Sequence, residues 1–201
     1  MMDENDLYEY SFQLAGEAWP FCGVDEAGRG PLAGPVCAAA VILPPDVRIE
    51  GLNDSKKLTE KKREALYTEI TEKALSYGIA FASVEEIEKI NIKNAAYLAM
   101  ERAIAQLDPI PALALVDGSD KNALPVPSIK VVKGDARCAC IAAASILAKV
   151  TRDRLMLELD QAYPMYGFAK HKGYGTAAHY AALRQYGPCP HHRPAFLRKM
   201  H

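Results

Sequence analysis

At 201 residues, half of them hydrophobic and 24% charged, the chain has the size and composition of one globular domain. That excludes disordered, collagen-like and coiled-coil chains, and no run approaches the roughly 18 apolar residues that would span a bilayer. A net charge of −1 argues against a protein that holds nucleic acid by bulk charge, but the distribution is uneven. Residues 1–20 carry five acids and no Lys or Arg, whereas residues 161–201 carry six Lys or Arg, all five His and no acid. A polyanion-binding face and a solvated tail both fit that asymmetry. The acidic start is read as neither a secretory signal nor a transit peptide. Five Cys, an odd number, fit a reducing compartment, so the expected location is the cytoplasm.

Apolar runs predict buried strands at 21–24 and 36–43, the second stopped by Pro44-Pro45. A loop carrying Asn53-Asp54-Ser55-Lys56-Lys57 follows. Thr59 is placed as the N-cap of a charged amphipathic helix over 59–77, with Gly78 as its stop. A third strand covers 79–83. Ser83 and Glu86 have capping-box spacing, so a short helix starts there, and Asn91 begins another that runs to 107. Strands at 112–116 and 129–132 end at Asp117-Gly118 and at Lys133-Gly134-Asp135. The longest helical pattern, 136–162, is rich in small residues in its first half, which lets it pack closely on a sheet. Thr176 opens the last clear helix, closed at Gly187-Pro188. Strands first, then strands alternating with helices, describe an α/β domain around a central mixed sheet. Sites in such folds collect at the carboxyl ends of strands.

Three of those ends carry acids: Asp25-Glu26, Asp117 and Asp135. Neighbours in an extended strand point to opposite faces, so the first strand must end or twist for Asp25 and Glu26 to converge. Gly28, Gly30 and Gly34 then allow close backbone approach to a ligand. Gly28-x-Gly30 fails as a dinucleotide signature because position 33 is Ala33, and the absence of a G-K-[ST] ending excludes a P-loop. Taken singly, the Asp-Glu pair and Asp117-Gly118 are also turns, and Asp135 is also an N-cap. Taken together, four carboxylates at the ends of one sheet would repel strongly unless divalent cations joined them. All-oxygen ligands select Mg²⁺ or Mn²⁺, and the matching chemistry is two-metal phosphodiester hydrolysis.

Other polar residues fit a nucleic-acid face. Lys56 and Lys57 either serve it or flank a helix. Ser145, Lys149 and Arg152 share one helix face, read here as solvated. Tyr174, between glycines in Lys170–Gly175, either stacks on a sugar or base or packs within its loop. Cys22 and Cys37 are read as small core residues. Cys189, His191 and His192 cluster near the end, but no second ligand pair accompanies them, which leaves a metal there the lesser reading.

Together these segments resemble the ribonuclease HII family. They are GVDEAGRGPLAGPV at 23–36, NDSKKL at 53–58, LVDG at 115–118, KGDARCACIAAASILAKVTRD at 133–153 and HKGYGT at 171–176. GPCPHHRPAF at 187–196 is similar to the family's C-terminal end. The resemblance implies a ribonuclease H-like α/β fold, a five-stranded mixed sheet flanked by helices with a small helical C-terminal extension. It divides the chain into an acidic N-terminal segment (1–19), a catalytic domain (20–163) and a basic helical extension that completes the substrate cleft (164–201). It implies endonucleolytic hydrolysis of the RNA strand in RNA–DNA hybrids, and incision 5′ of single ribonucleotides embedded in duplex DNA, leaving 5′-phosphate and 3′-hydroxyl. By motif, Asp25, Glu26, Asp117 and Asp135 would be the catalytic carboxylates and the ligands of two Mn²⁺ or Mg²⁺ ions with substrate bound. Gly28, Arg29 and Gly30 would present backbone groups to the ribose 2′-hydroxyl, Tyr174 would stack beneath that sugar, and Lys56 would contact a phosphate. The implied partner is nucleic acid; no membrane and no protein partner is readable, and a monomer suffices. Two other classes stay open: a hybrid-binding protein without catalysis, against which the four carboxylates speak, and a small-molecule phosphohydrolase, against which the basic C-terminal fifth speaks.

Overall fold

A computed structural model describes residues 4–120 and 122–198. The outermost parts of the expected 1–19 and 164–201 segments, residues 1–3 and 199–201, lie outside the described residues. Five strands form one sheet: β1 (Phe21–Ala27), β2 (Val36–Ile42), β3 (Ser76–Ala82), β4 (Leu113–Asp117) and β5 (Ser128–Val131), in the order β3-β2-β1-β4-β5. β2 runs antiparallel to both β1 and β3, while β1, β4 and β5 are parallel. The mixed sheet expected from the sequence is therefore present.

Period-two alternation sorts the side chains onto two layers. Phe21, Cys37, Ala39, Val41, Leu113 and Leu115 face α1 (Glu4–Ala15), α2 (Glu60–Lys73) and α4 (Ala139–Ala162). Cys22, Val24, Ala38, Ala40, Ala114 and Val116 face α3 (Val84–Ile104). With both faces covered, all seven residues of β2 are buried. The small-residue half of α4 is buried throughout, because it lies between the sheet and α1 and α2.

The expected elements are all present, with shifted ends: β1 runs on to Ala27 rather than stopping at 24, and β3 begins at Ser76 rather than 79. The charged helix stops at Lys73 rather than 77, because the Leu75 N–H joins the sheet at Ile42 O (2.9 Å); Gly78 lies inside β3, opposite Ala40. α4 starts at Ala139 rather than 136, after a 3₁₀ turn at Gly134–Ala136. α1 occupies a stretch read above for its charge alone. It buries Leu7 and Tyr8 in the core, and its Ser11 hydroxyl accepts the Ala139 N–H (3.0 Å) at the start of α4. The expected break at Asn91 is present: α3 bends at a left-handed Asn91 (φ 66°), whose side chain accepts the Asn94 N–H (3.1 Å). The Ser83–Glu86 capping box is complete at 2.8 and 3.2 Å. A third cluster joins the loop at Leu32 and Ala33 and the end of α4 to the C-terminal pieces α5 (Phe168–His171), α6 (Ala177–Tyr186) and α7 (Pro194–Leu197).

Candidate active site

Parallel pairing of Val24 with Val116 carries β1 and β4 side by side to Asp25 and Asp117, both on the α4 face. After β5 a left-handed Lys133 (φ 56°) turns the chain back into the 3₁₀ turn, where the Gly134 N–H donates to Asp117 Oδ1 (2.7 Å) and Asp135 follows. Carboxylate oxygens of Asp25, Asp117 and Asp135 all lie within 4.8 Å of one another. Asp25 is 4% exposed and Asp135 7%. Burial, then the charges of Glu26 and Asp117, raise the Asp25 carboxyl well above its usual range. Burial and Asp117 likewise raise Asp135. Asp135 is not an N-cap, since Cys138 holds that position for α4.

Glu26 lies outside the 4.8 Å aspartate cluster but lines the same cleft as Asp25 and acts on its charge. β1 stays extended through Ala27, so Glu26 leaves on the opposite face from Asp25. Its carboxylate lines the rim of the same cleft, 3.4 Å from the Arg29 guanidinium, which also reaches Asp120 (3.3 Å). Burial is the largest influence on Glu26 and raises it, although Arg29 pulls the other way.

The cleft holds about 250 Å³, and its wall includes Gly28, Arg29, Gly30, Lys56 and Tyr174 beside the acids. A larger apolar cavity of about 690 Å³, walled by Val84, Pro188, Pro190 and Leu197, lies away from the aspartate cluster. The loop holding Lys56 is fixed from two sides. Asp54 accepts the Lys56 N–H (2.9 Å), and Ser55 Oγ meets Ser145 Oγ of α4 (2.9 Å). Lys56 Nζ is 3.7 Å from Asp135. Desolvation lowers the Lys56 ammonium, but Asp135, Asp54, Asp25 and Asp117 outweigh it and leave the group raised and charged. Tyr174 is 45% exposed, so the packed-loop alternative is set aside.

The helix face read as solvated is not. Ser145 and Arg152 are buried and Lys149 is half-buried, because that face turns toward the sheet and the first glycine loop. Arg152 donates to Ala33 O, Pro35 O and Lys172 O at 2.9 to 3.0 Å, tying the loop after β1 to the one before Tyr174. Gly28 (φ 96°) lies over this guanidinium: a Cβ there would stand 2.0 Å from Arg152 Nε. Charge and helical spacing did not reveal this, since carbonyl acceptors leave no mark in a sequence. Arg193 was missed for the same reason, and Asp120 and His179 because their partners, Arg29 and Lys93 for one and Tyr174 O and His192 for the other, lie on other segments of the chain. Cys189, His191 and His192 form no metal cluster; His192 gives both ring nitrogens to hydrogen bonds, with Cys189 N (2.9 Å) and His179 Nε2 (3.0 Å). Four cysteines are buried and all five are free; burial pushes the Cys138 thiol up to about 11, which removes reactive thiolate.

Aspartates clustered at the carboxyl ends of two central parallel strands, on a sheet of this order, place the protein in the ribonuclease H-like class of α/β proteins. Comparison narrows the class. The sequence model of ribonuclease HII matches residues 22–201. Ribonuclease HII of Acetivibrio thermocellus is 51% identical over 97% of this chain and 74% of that protein. Ribonuclease HII 1 of Methylibium petroleiphilum is 61% identical over 87% of this chain and 88% of that protein. The crystal structure of ribonuclease H2 from Pyrococcus horikoshii superposes with a TM-score of 0.75 at 29% identity, covering 90% of this chain and 96% of that one. The chain belongs to the ribonuclease HII family, endonucleases that cleave the RNA strand of RNA–DNA hybrids. Among the described residues, no helix is long and apolar enough to cross a membrane.

Proposed function

We propose that this protein also incises duplex DNA on the 5′ side of single embedded ribonucleotides, by two-metal hydrolysis that leaves a 5′-phosphate and a 3′-hydroxyl. The crowding of Asp25, Asp117 and Asp135 oxygens within 4.8 Å carries the reading. Asp25 and Asp135 are buried and Asp117 half-buried between them, the donors are all oxygen, and Lys56 is the single cation in ion-pair reach of the three among the described residues. That donor set fits divalent Mg²⁺ or Mn²⁺, two ions with substrate bound, with Glu26 contributing from the rim. Bound there, the ions supply Lewis-acid polarisation of the phosphate and an activated water.

The chain's own groups do the rest. The N–H groups of Glu26 and Gly134 hold Asp25 (2.7 Å) and Asp117 (2.7 Å) in place, so the cluster is preorganised. Lys56 keeps its charge beside the cluster and meets a backbone phosphate. Gly28, Arg29 and Gly30 present backbone groups to the 2′-hydroxyl, the atom that separates RNA from DNA. Tyr174 stacks beneath that sugar across from Gly30. The basic segment from 164 onward closes the cleft over the duplex, as an extension of the 20–163 catalytic domain. The enzyme acts as a monomer in the cytoplasm, with nucleic acid as its partner.

The test uses duplex DNA with one ribonucleotide, labelled at the 5′ end of that strand, and Mg²⁺ or Mn²⁺. A cut 5′ of the ribonucleotide, absent with Asp25→Asn and with EDTA, is expected. Cleavage of long hybrid without this cut would refute the single-ribonucleotide reading, and activity in EDTA would refute the metal reading.

A further inference from the structure

Arg193 is fully buried, and among the described residues no carboxylate lies in ion-pair reach of it. A buried cation with no carboxylate in contact, only the more distant charge of Glu88, is costly, so its placement calls for a reason. Its whole donor fork is spent on one loop: Nη2 to Gly28 O (2.7 Å), Nη1 to Arg29 O (3.0 Å) and Nε to Gly34 O (2.9 Å). Its backbone N–H donates to Leu32 O (2.8 Å), and the preceding residues hold the same loop through Gly34 N–H to His191 O (2.8 Å). Arg152, the other buried guanidinium here, takes Ala33 O, Pro35 O and Lys172 O instead. The carbonyls of residues 28 and 29 therefore belong to Arg193.

In a trans peptide the C=O and the following N–H point in opposite directions. A guanidinium that draws the Gly28 and Arg29 carbonyls inward thus turns the N–H groups of Arg29 and Gly30 away from itself. On that far side the same three residues line the cleft. We propose that Arg193 is a positioning residue for ribose recognition: it aims the Arg29 and Gly30 N–H groups at the 2′-hydroxyl. This rests on the reading that the loop contacts the ribose. The planar fork matters, because a lysine offers a point charge that cannot hold two successive peptide planes in one orientation.

The test separates the two ideas by binding rather than turnover. Asp25→Asn protein is titrated with two duplexes that differ in one 2′-hydroxyl, with and without Arg193→Lys. Asp25→Asn alone is expected to prefer the ribose-containing duplex. Adding Arg193→Lys is expected to cut that preference by about tenfold, as two misdirected hydrogen bonds would. Affinity for the all-deoxy duplex, set by phosphate contacts, is expected to stay within about twofold. A merely structural arginine would weaken both duplexes together. Preference that survives Arg193→Lys overturns the role of Arg193, whereas no preference with Arg193 present overturns the loop reading itself. A second measurement needs no variant at position 193: amide NMR of the wild-type protein in EDTA. The Arg29 and Gly30 N–H signals are expected to move with the ribose-containing duplex and not with its all-deoxy match; equal movement with both overturns the loop reading on which the role of Arg193 rests.

Discussion

Gly23 of β1 lies backbone-to-backbone against Cys140 of α4, so close that a Cβ on Gly23 would stand 2.1 Å from the Cys140 carbonyl carbon. The Ala-rich start of α4 makes that approach possible, and its consequence is felt two residues later. Asp25 shares the face of Gly23, and Ser145, on the same helix, lies beside the Asp25 carboxyl and acts to lower it against burial. The distance between sheet and helix thus sets the depth of the aspartate cluster.

Gly23→Ala is therefore expected to destabilise the fold by on the order of 3 kcal/mol, since neither backbone can give way. Gly30→Ala is the contrast. Its nearest neighbour would be Tyr174 Cε1 at 3.6 Å, an ordinary contact, so stability is expected to hold while incision falls through the methyl placed in the cleft. Urea midpoints and incision rates of the two variants check the split; a destabilised Gly30→Ala, or a Gly23→Ala as stable as wild type, would contradict it.

Asp25→Asn removes one of three crowded carboxylates. Turnover is expected to fall by about 10³-fold or more, since the group is proposed to hold the ions themselves. Metal-free stability is expected to rise, because burial and neighbouring charge disfavour the ionised Asp25 in the fold. Calorimetry in EDTA and again in excess Mg²⁺ measures this: added metal is expected to stabilise wild type more than the variant. Equal gains would show that Asp25 does not ligate.

Much of this arrangement was readable beforehand. Strand ends carry Asp25, Asp117 and Asp135 because an acid terminates each apolar run, and a five-stranded mixed sheet follows from the alternation of elements. What escaped were relations between distant segments. Nothing local distinguishes Arg152 on a helix from a solvated arginine, because its acceptors are carbonyls of residues 33, 35 and 172. α1 was hidden for a related reason: its stretch stands out by charge, with Glu9 exposed, while Leu7, Tyr8 and Ser11 do the packing. That Glu26 reaches the cleft from a different position than the three aspartates depended on β1 running on to Ala27, beyond the apolar run at 21–24.

Tyr174→Ala is expected to lower incision at a single ribonucleotide by roughly 10- to 100-fold, the worth of one aromatic stack. Long hybrid, which offers other registers for cleavage, should lose less. The ring is 45% exposed, so the melting temperature should scarcely change. Parallel rate measurements on the two substrates decide the matter, and equal losses would remove the tyrosine from junction recognition.

The loop bearing Tyr174 is held by histidines whose protonation is fixed by geometry. His192 Nδ1 accepts the Cys189 N–H (2.9 Å), so its proton is on Nε2, donated to His179 Nε2 (3.0 Å). His179 must then carry its proton on Nδ1, where it donates to Tyr174 O (2.9 Å). The chain requires both rings neutral, and His171 stacks on His179 at 4.3 Å. Burial lowers His179, and burial with the His179 charge lowers His192 to about 4 from 6.5. Between those values the unfolded chain binds a proton that the folded chain refuses. The His192 contribution is thus complete above pH 6.5 and is lost as pH falls toward 4, by about 1.4 kcal/mol per pH unit, and His179 acts in the same direction. Asp25 and Asp135 are raised rather than lowered, so their contribution runs the other way and partly masks it. Comparing wild type with His192→Gln cancels the carboxylates. Urea unfolding from pH 7 to pH 4.5 is expected to show the variant less stable at neutral pH but losing less stability on acidification. Identical slopes for the two proteins would mean that His192 is not held neutral in the fold.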